Sequence, residues 1–108
     1  MINSYELQTA YVNLYRCLRD YIWDYDVVVE WAEVETKIFS AFPDISNLQN
    51  IVKKFYRSIS ESLQRTNIKD AKIENAFQKI FKLLSDSDDI YLKITLPREV
   101  LSYEDNKS

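Results

Sequence analysis

Not one glycine occurs among the 108 residues of this chain, and not one histidine. Average usage would place about 7 glycines in every hundred residues, so the absence is a selection against backbone freedom. Turns in such a chain have to be made by Asp, Asn, Ser and Pro. The same absences remove chemistry. Without glycine there is no phosphate-cradling loop, dinucleotide fingerprint or nucleophile elbow; without histidine there is no common general base, catalytic triad, or ordinary zinc or di-iron site. The expectation is a helical scaffold that is not an enzyme, takes no cofactor and has no evident small-molecule substrate.

A chain of this length supports one core. Hydrophobic residues at 46% and charged residues at 29% are ordinary globular values. No stretch approaches the roughly 20 apolar residues of a membrane span, and Met1-Ile2-Asn3-Ser4 lacks the charged start of a secretory signal, so a cytoplasmic protein is expected. The lone Cys17 fits a reducing compartment and sits at the edge of an apolar stripe, where it reads as a small core residue.

Net charge is −3, but it is banded: residues 1–44 carry −5, residues 45–84 carry +5 and residues 85–108 carry −3. An acidic helix pair beside a basic one would satisfy the banding internally, and a charged partner would satisfy it externally.

Asn3 and Glu6 form a capping box, followed by Leu7, Ala10, Tyr11, Leu14, Leu18, Tyr21, Ile22 and Tyr25 at helical spacing. A second series runs through Val27, Trp31, Val34, Ile38, Ala41 and Phe42, with Glu30, Glu33, Thr36, Lys37 and Ser40 opposite. At 100° per residue the first stripe centres at about 200° and the second at about 50°, a jump that one straight helix cannot bury against one neighbour. Two helices joined near Trp23-Asp24-Tyr25-Asp26 are therefore predicted, with Asp24 or Asp26 as the cap. Val27-Val28-Val29 alone suits a strand, but the period that runs on to Phe42 is helical. Pro43 ends this helix. Ser46 with Gln49 is read as the next capping box, and Leu48, Ile51, Val52, Phe55, Tyr56, Ile59 and Leu63 as the face of a third helix. Ile73, Ala76, Phe77, Ile80, Phe81 and Leu84 make a fourth.

After the polar run Ser85–Asp89 the period changes to 2. Ile90, Leu92, Ile94 and Leu96 alternate with Tyr91, Lys93 and Thr95, and Pro97 stops the run. This is a strand pattern with no strand beside it to pair with. The resulting expectation is an all-α fold, an antiparallel four-helix bundle with a short C-terminal extended or β segment. One helical domain would cover residues 1–96, with helices at about 4–23, 26–42, 46–65 and 69–85 and the extended segment at 90–96; residues 97–108 would form a partly disordered tail.

Three constellations bear on function. The carboxylates Asp20, Asp24, Asp26, Glu30 and Glu33 include i, i+4 pairs, but the bundle-type di-metal motif needs histidine, so they read as caps and solvated groups. Asp86, Asp88 and Asp89 imitate a calcium loop whose turn glycine is missing and whose twelfth position is Pro97. The bases Lys53, Lys54, Arg57, Lys69, Lys72, Lys79 and Lys82 on helices three and four suit a nucleic-acid backbone, and Tyr56 offers a ring for stacking; the pI near 4.9 argues against it.

The aromatic first helix is the remaining signal. Tyr5, Val12 and Trp23 lie opposite its main stripe with Arg16 and Arg19 beside them, the residue types that protein interface centres favour. Such a helix is either gripped on both sides by its own chain, including residues 90–96, or covered by a partner.

The run Leu7-Gln8-Thr9-Ala10-Tyr11, with Leu14-Tyr15, Leu18–Asp24 and Phe42-Pro43-Asp44, resembles small uncharacterised accessory proteins carried on phages and conjugative elements of Gram-positive bacteria. The resemblance covers residues 7–44 and implies no activity. In size and helical build the chain is also similar to bacteriocin immunity proteins, an analogy of architecture. The expected function is a non-enzymatic interaction or regulatory accessory protein. It would bind a protein partner, or itself as a dimer, through the first helix and Ile90, Leu92, Ile94 and Leu96, with nucleic-acid binding and an immunity-like role as alternatives.

Overall fold

The structure, a computed structural model, describes residues 4–85. Four helices make up its regular structure: α1 (Ser4–Leu18), α2 (Tyr25–Ile38), α3 (Ile45–Arg65) and α4 (Ala71–Ser85). No strand occurs among the described residues, so the fold is all-α there, with a helix packing compatible with a bundle. Ile90, Leu92, Ile94 and Leu96, the calcium-like run and the tail lie outside the described residues, as does the cap at Asn3.

The apolar spacing becomes the core directly. Leu7, Leu14 and Leu18 of α1, Val34 and Ile38 of α2, Leu48, Val52 and Phe55 of α3, and Phe77, Ile80 and Phe81 of α4 are all buried. Each fully buried side chain of this size contributes about 1.5–3 kcal/mol before chain entropy is counted. An aromatic chain threads the core from Tyr15 to Trp31 (5.4 Å between centroids), Phe55 (6.3 Å), Phe77 (5.6 Å), Tyr56 (5.1 Å) and Phe81 (5.6 Å), touching all four helices.

The packing is unequal. α1 lies most extensively on α4 and α2 on α3, while the seams α1–α2 and α3–α4 are thinner. Contacts set the directions: Asp24 at the start of α2 meets Arg65 at the end of α3, and Tyr21 after α1 meets Asp70 before α4, so both major pairs run in opposite senses.

α1 and α2 are separate helices, as the phase jump requires, but both stop earlier than their periodicity suggests. α1 ends at Leu18, not near residue 23. The Leu18 carbonyl accepts from the Tyr21 backbone N–H at 3.1 Å and from the Trp23 indole at 2.7 Å, which folds the chain back over the helix end. Ile22 is consequently fully exposed and Tyr25 largely so. α2 ends at Ile38, not near residue 42, closed by the Phe39 N–H on the Glu35 carbonyl; Ala41 and Phe42 lie outside the core, Phe42 93% exposed. The capping box expected at Ser46 and Gln49 is also displaced. Asp44 caps α3, its side chain accepting from the Asn47 N–H at 3.2 Å, while Gln49 is buried.

The absence of glycine is felt after α3. Asn67 takes φ 56°, the left-handed conformation that closes helices. Its N–H bonds the Gln64 carbonyl and the Ile68 N–H bonds the Leu63 carbonyl, the paired bonds of a Schellman close with Asn in the place usually held by glycine. α4 then starts on Asp70, whose carboxylate accepts from the Lys72 N–H at 2.9 Å.

Candidate interaction site

The thin α1–α2 seam opens into a cleft of about 510 Å³ lined by Tyr11, Val12 and Tyr15 of α1, Glu35 and Thr36 of α2, and Phe39 just beyond it. The cleft exists because α1 leans on α4 and α2 leans on α3, leaving the two helices bridged by a few side chains. Tyr11 is the main bridge. Its hydroxyl donates to Glu35 Oε1 and accepts from the Trp31 indole N–H at 2.8 Å, and its ring meets Phe39 edge-on at 5.8 Å. Burial, followed by the hydrogen bond that its hydroxyl donates to the Glu35 carboxylate, pushes the Tyr11 phenol well above its ordinary value.

Two hydroxyl protons of this cleft are already placed. The Tyr11 proton is committed to Glu35, and the Thr36 hydroxyl donates to the Ala32 carbonyl at 2.9 Å. Glu35 Oε2 has no hydrogen-bond partner among the described residues. Glu35 Oε2 and the Thr36 oxygen therefore remain as acceptors beside the rings of Tyr11, Tyr15 and Phe39.

The structure distributes the sequence-derived candidates unevenly. Val12 lines the cleft and is half-buried. Tyr5, at 77% exposed, and Arg16 of α1 and Arg19 just beyond it are exposed at the surface. Trp23 is placed differently: it is half-buried, its indole bonded to Leu18 and its ring 5.8 Å from Tyr21, so it works in the turn after α1. Sequence reasoning passed over Glu35, Thr36 and Phe39. Only the excess of apolar residues on α2, with Val28 and Val29 also exposed, carries a trace of them in the sequence.

The basic candidates differ in their surroundings. Lys54 pairs with Glu30 of α2 at 3.8 Å, and Arg65 pairs with Asp24 at 3.4 Å, so part of the charge banding is met inside the chain. Partial burial, with Arg57 beside it, holds Lys53 below the usual lysine value. Arg57, Lys69, Lys72, Lys79 and Lys82 are exposed and form no salt bridge among the described residues. Tyr56 is half-buried: its ring lies edge-on to Phe77 and Phe81, and its hydroxyl bonds the Glu74 carboxylate at 2.9 Å.

The turn around Cys17 is a small junction of its own. Tyr21 donates to Asp70 Oδ2 at 2.5 Å, holding that carboxyl below its ordinary value, and burial pushes the Cys17 thiol up, away from reactivity. No group of three or more metal-ligating side chains occurs among the described residues, and no helix there is long and apolar enough to cross a membrane. No family model, curated protein or solved structure gives a significant match to the chain.

Proposed function

We propose that the chain is a non-enzymatic interaction protein, an accessory factor of the kind its first 44 residues resemble, that binds a protein partner through the α1–α2 cleft and the outward side of α1. The observation that carries this reading is the apolar rim of the cleft. Tyr15 and Phe39 stand 41% and 49% exposed beside it, and Val28, Val29 and Tyr25 continue the exposed apolar surface along α2. Apolar surface gathered around a concavity is unusual for a surface that only meets water. The sequence points to the first helix together with Ile90, Leu92, Ile94 and Leu96, which lie outside the described residues; the cleft adds α2 as a second wall beside α1.

Affinity capture from the chain's native host, run beside the Phe39→Glu variant, tests the proposal. A bound protein, or a second copy, should be lost with Phe39→Glu while circular dichroism stays unchanged. Binding that survives the substitution, or a chain that stays monomeric and captures nothing, contradicts it.

A second reading is favoured by the bases Arg57, Lys69, Lys72, Lys79 and Lys82, which are exposed and form no salt bridge among the described residues. A nucleic-acid role for them requires retardation of DNA or RNA at low salt that weakens steeply as salt is added.

A further inference from the structure

We propose that the α1–α2 cleft receives one organic cation, the guanidinium of an arginine presented by the partner; this rests on reading the cleft as the interaction surface. Three features of the cleft select a cation. Glu35 Oε2 and Thr36 Oγ1 are left as acceptors, because the protons of Tyr11 and Thr36 are held by Glu35 and the Ala32 carbonyl, and the Tyr15 hydroxyl can accept as well as donate. Its walls carry the partly exposed rings of Tyr15 and Phe39, and aromatic ring faces attract positive charge. One oxygen of the Glu35 carboxylate is anchored by Tyr11, which reduces the side-chain freedom that a ligand on the other oxygen would have to remove.

Arginine suits this set better than lysine. A guanidinium is planar and presents several N–H groups in one plane, so it can lie on the Tyr15 or Phe39 ring while donating sideways to Glu35 Oε2 and Thr36 Oγ1. An ammonium offers no flat face to stack. The chain's own bases leave the place open. Arg16 and Arg19 follow Val12 and Tyr15 by four residues, Lys37 is adjacent to Thr36, and none of the three pairs with Glu35.

The Trp31 indole N–H reports on the cleft because its proton rests on the Tyr11 hydroxyl. The test is a titration of the full ¹⁵N-labelled chain, following that indole signal, identified by its loss in Trp31→Phe. N-acetyl-arginine methylamide should shift the signal saturably. Its neutral isostere N-acetyl-citrulline methylamide should bind at least about tenfold more weakly, and Glu35→Gln should weaken arginine binding to a similar extent. Should Glu35→Gln fail to fold, Thr36→Val takes its place, with a smaller loss expected. Equal binding of arginine and citrulline, or no saturable shift, overturns the cation site, and lysine methylamide binding as tightly as arginine overturns the choice of arginine. If those results appear while capture of a partner still depends on Phe39, the interaction surface stands and only the cation site falls.

Discussion

The hydroxyl of Tyr11 on α1 donates to the carboxylate of Glu35 on α2, 24 positions away, and this bond spans one of the two thin seams of the fold, beside the α1–α2 cleft. One interaction thus serves two ends. It fastens α1 to α2 and sets the orientation of the carboxylate that the cleft presents.

Removing that hydroxyl should be costly for a single oxygen atom. Tyr11→Phe leaves the Trp31 indole without its acceptor and Glu35 without its donor, a loss of about 1–3 kcal/mol of unfolding free energy. Urea unfolding of Tyr11→Phe, Trp31→Phe and the double variant should show a double loss smaller than the sum of the singles, because both single changes break the same chain of bonds. Additive losses would show that the three groups do not act together.

Asn67 should be replaceable by glycine and by little else. Its left-handed φ of 56° costs a β-branched residue about 1 kcal/mol or more, so Asn67→Val should lower the melting temperature by several degrees, while Asn67→Gly should leave it unchanged or raise it. A tolerant Asn67→Val would mean that the α3–α4 turn does not depend on this conformation.

Stability should fall at both ends of the pH scale through identifiable groups. The Tyr21 hydroxyl holds Asp70 below its ordinary 3.8, so this contribution is present above that value and is lost as pH falls through the lower folded one; Asp70→Asn should flatten the acid limb. Tyr11 and Tyr21 are both raised above 10.0, the first by burial and the second by Asp70. Their contribution is complete below pH 10 and is lost as pH rises through their folded values. Phenolate absorbance should show two late-titrating tyrosines, one of which disappears in Tyr11→Phe.

The salt bridges between α2 and α3 should matter little to stability. Lys54→Ala and Arg65→Ala remove exposed bases whose pairs with Glu30 and Asp24 measure 3.8 and 3.4 Å, so each should cost less than about 1 kcal/mol by denaturant midpoint. A larger loss would assign these pairs a part in aligning α2 on α3.

Much of this architecture could be read from spacing, and the limits of that reading are physical. Leu7, Leu14, Val34, Leu48, Phe55 and Phe77 were placed on core stripes by their period alone, and all six are buried. The break between α1 and α2 followed from a phase jump. Where the breaks fall did not, because the residues that end α1 act through space: Trp23 reaches back to the Leu18 carbonyl and Tyr21 reaches across to Asp70. The cleft was legible by half. Val12 was singled out from its place opposite the core stripe, but Tyr11 was read only as a core residue, and nothing local marks Glu35 as its partner among the acids of α2. Choosing among them requires knowing that α1 packs on α4 and α2 on α3, a pairing that helical periods do not specify.

A photocrosslinking residue placed inside the cleft tests the central claim most directly. With p-benzoylphenylalanine in place of Thr36, illumination of living cells should give a protein adduct of defined mass, and the same group in place of the exposed Lys79 on α4 should give none. Adducts from the Lys79 position with none from the Thr36 position would move the binding surface to the basic side of the fold and contradict the account.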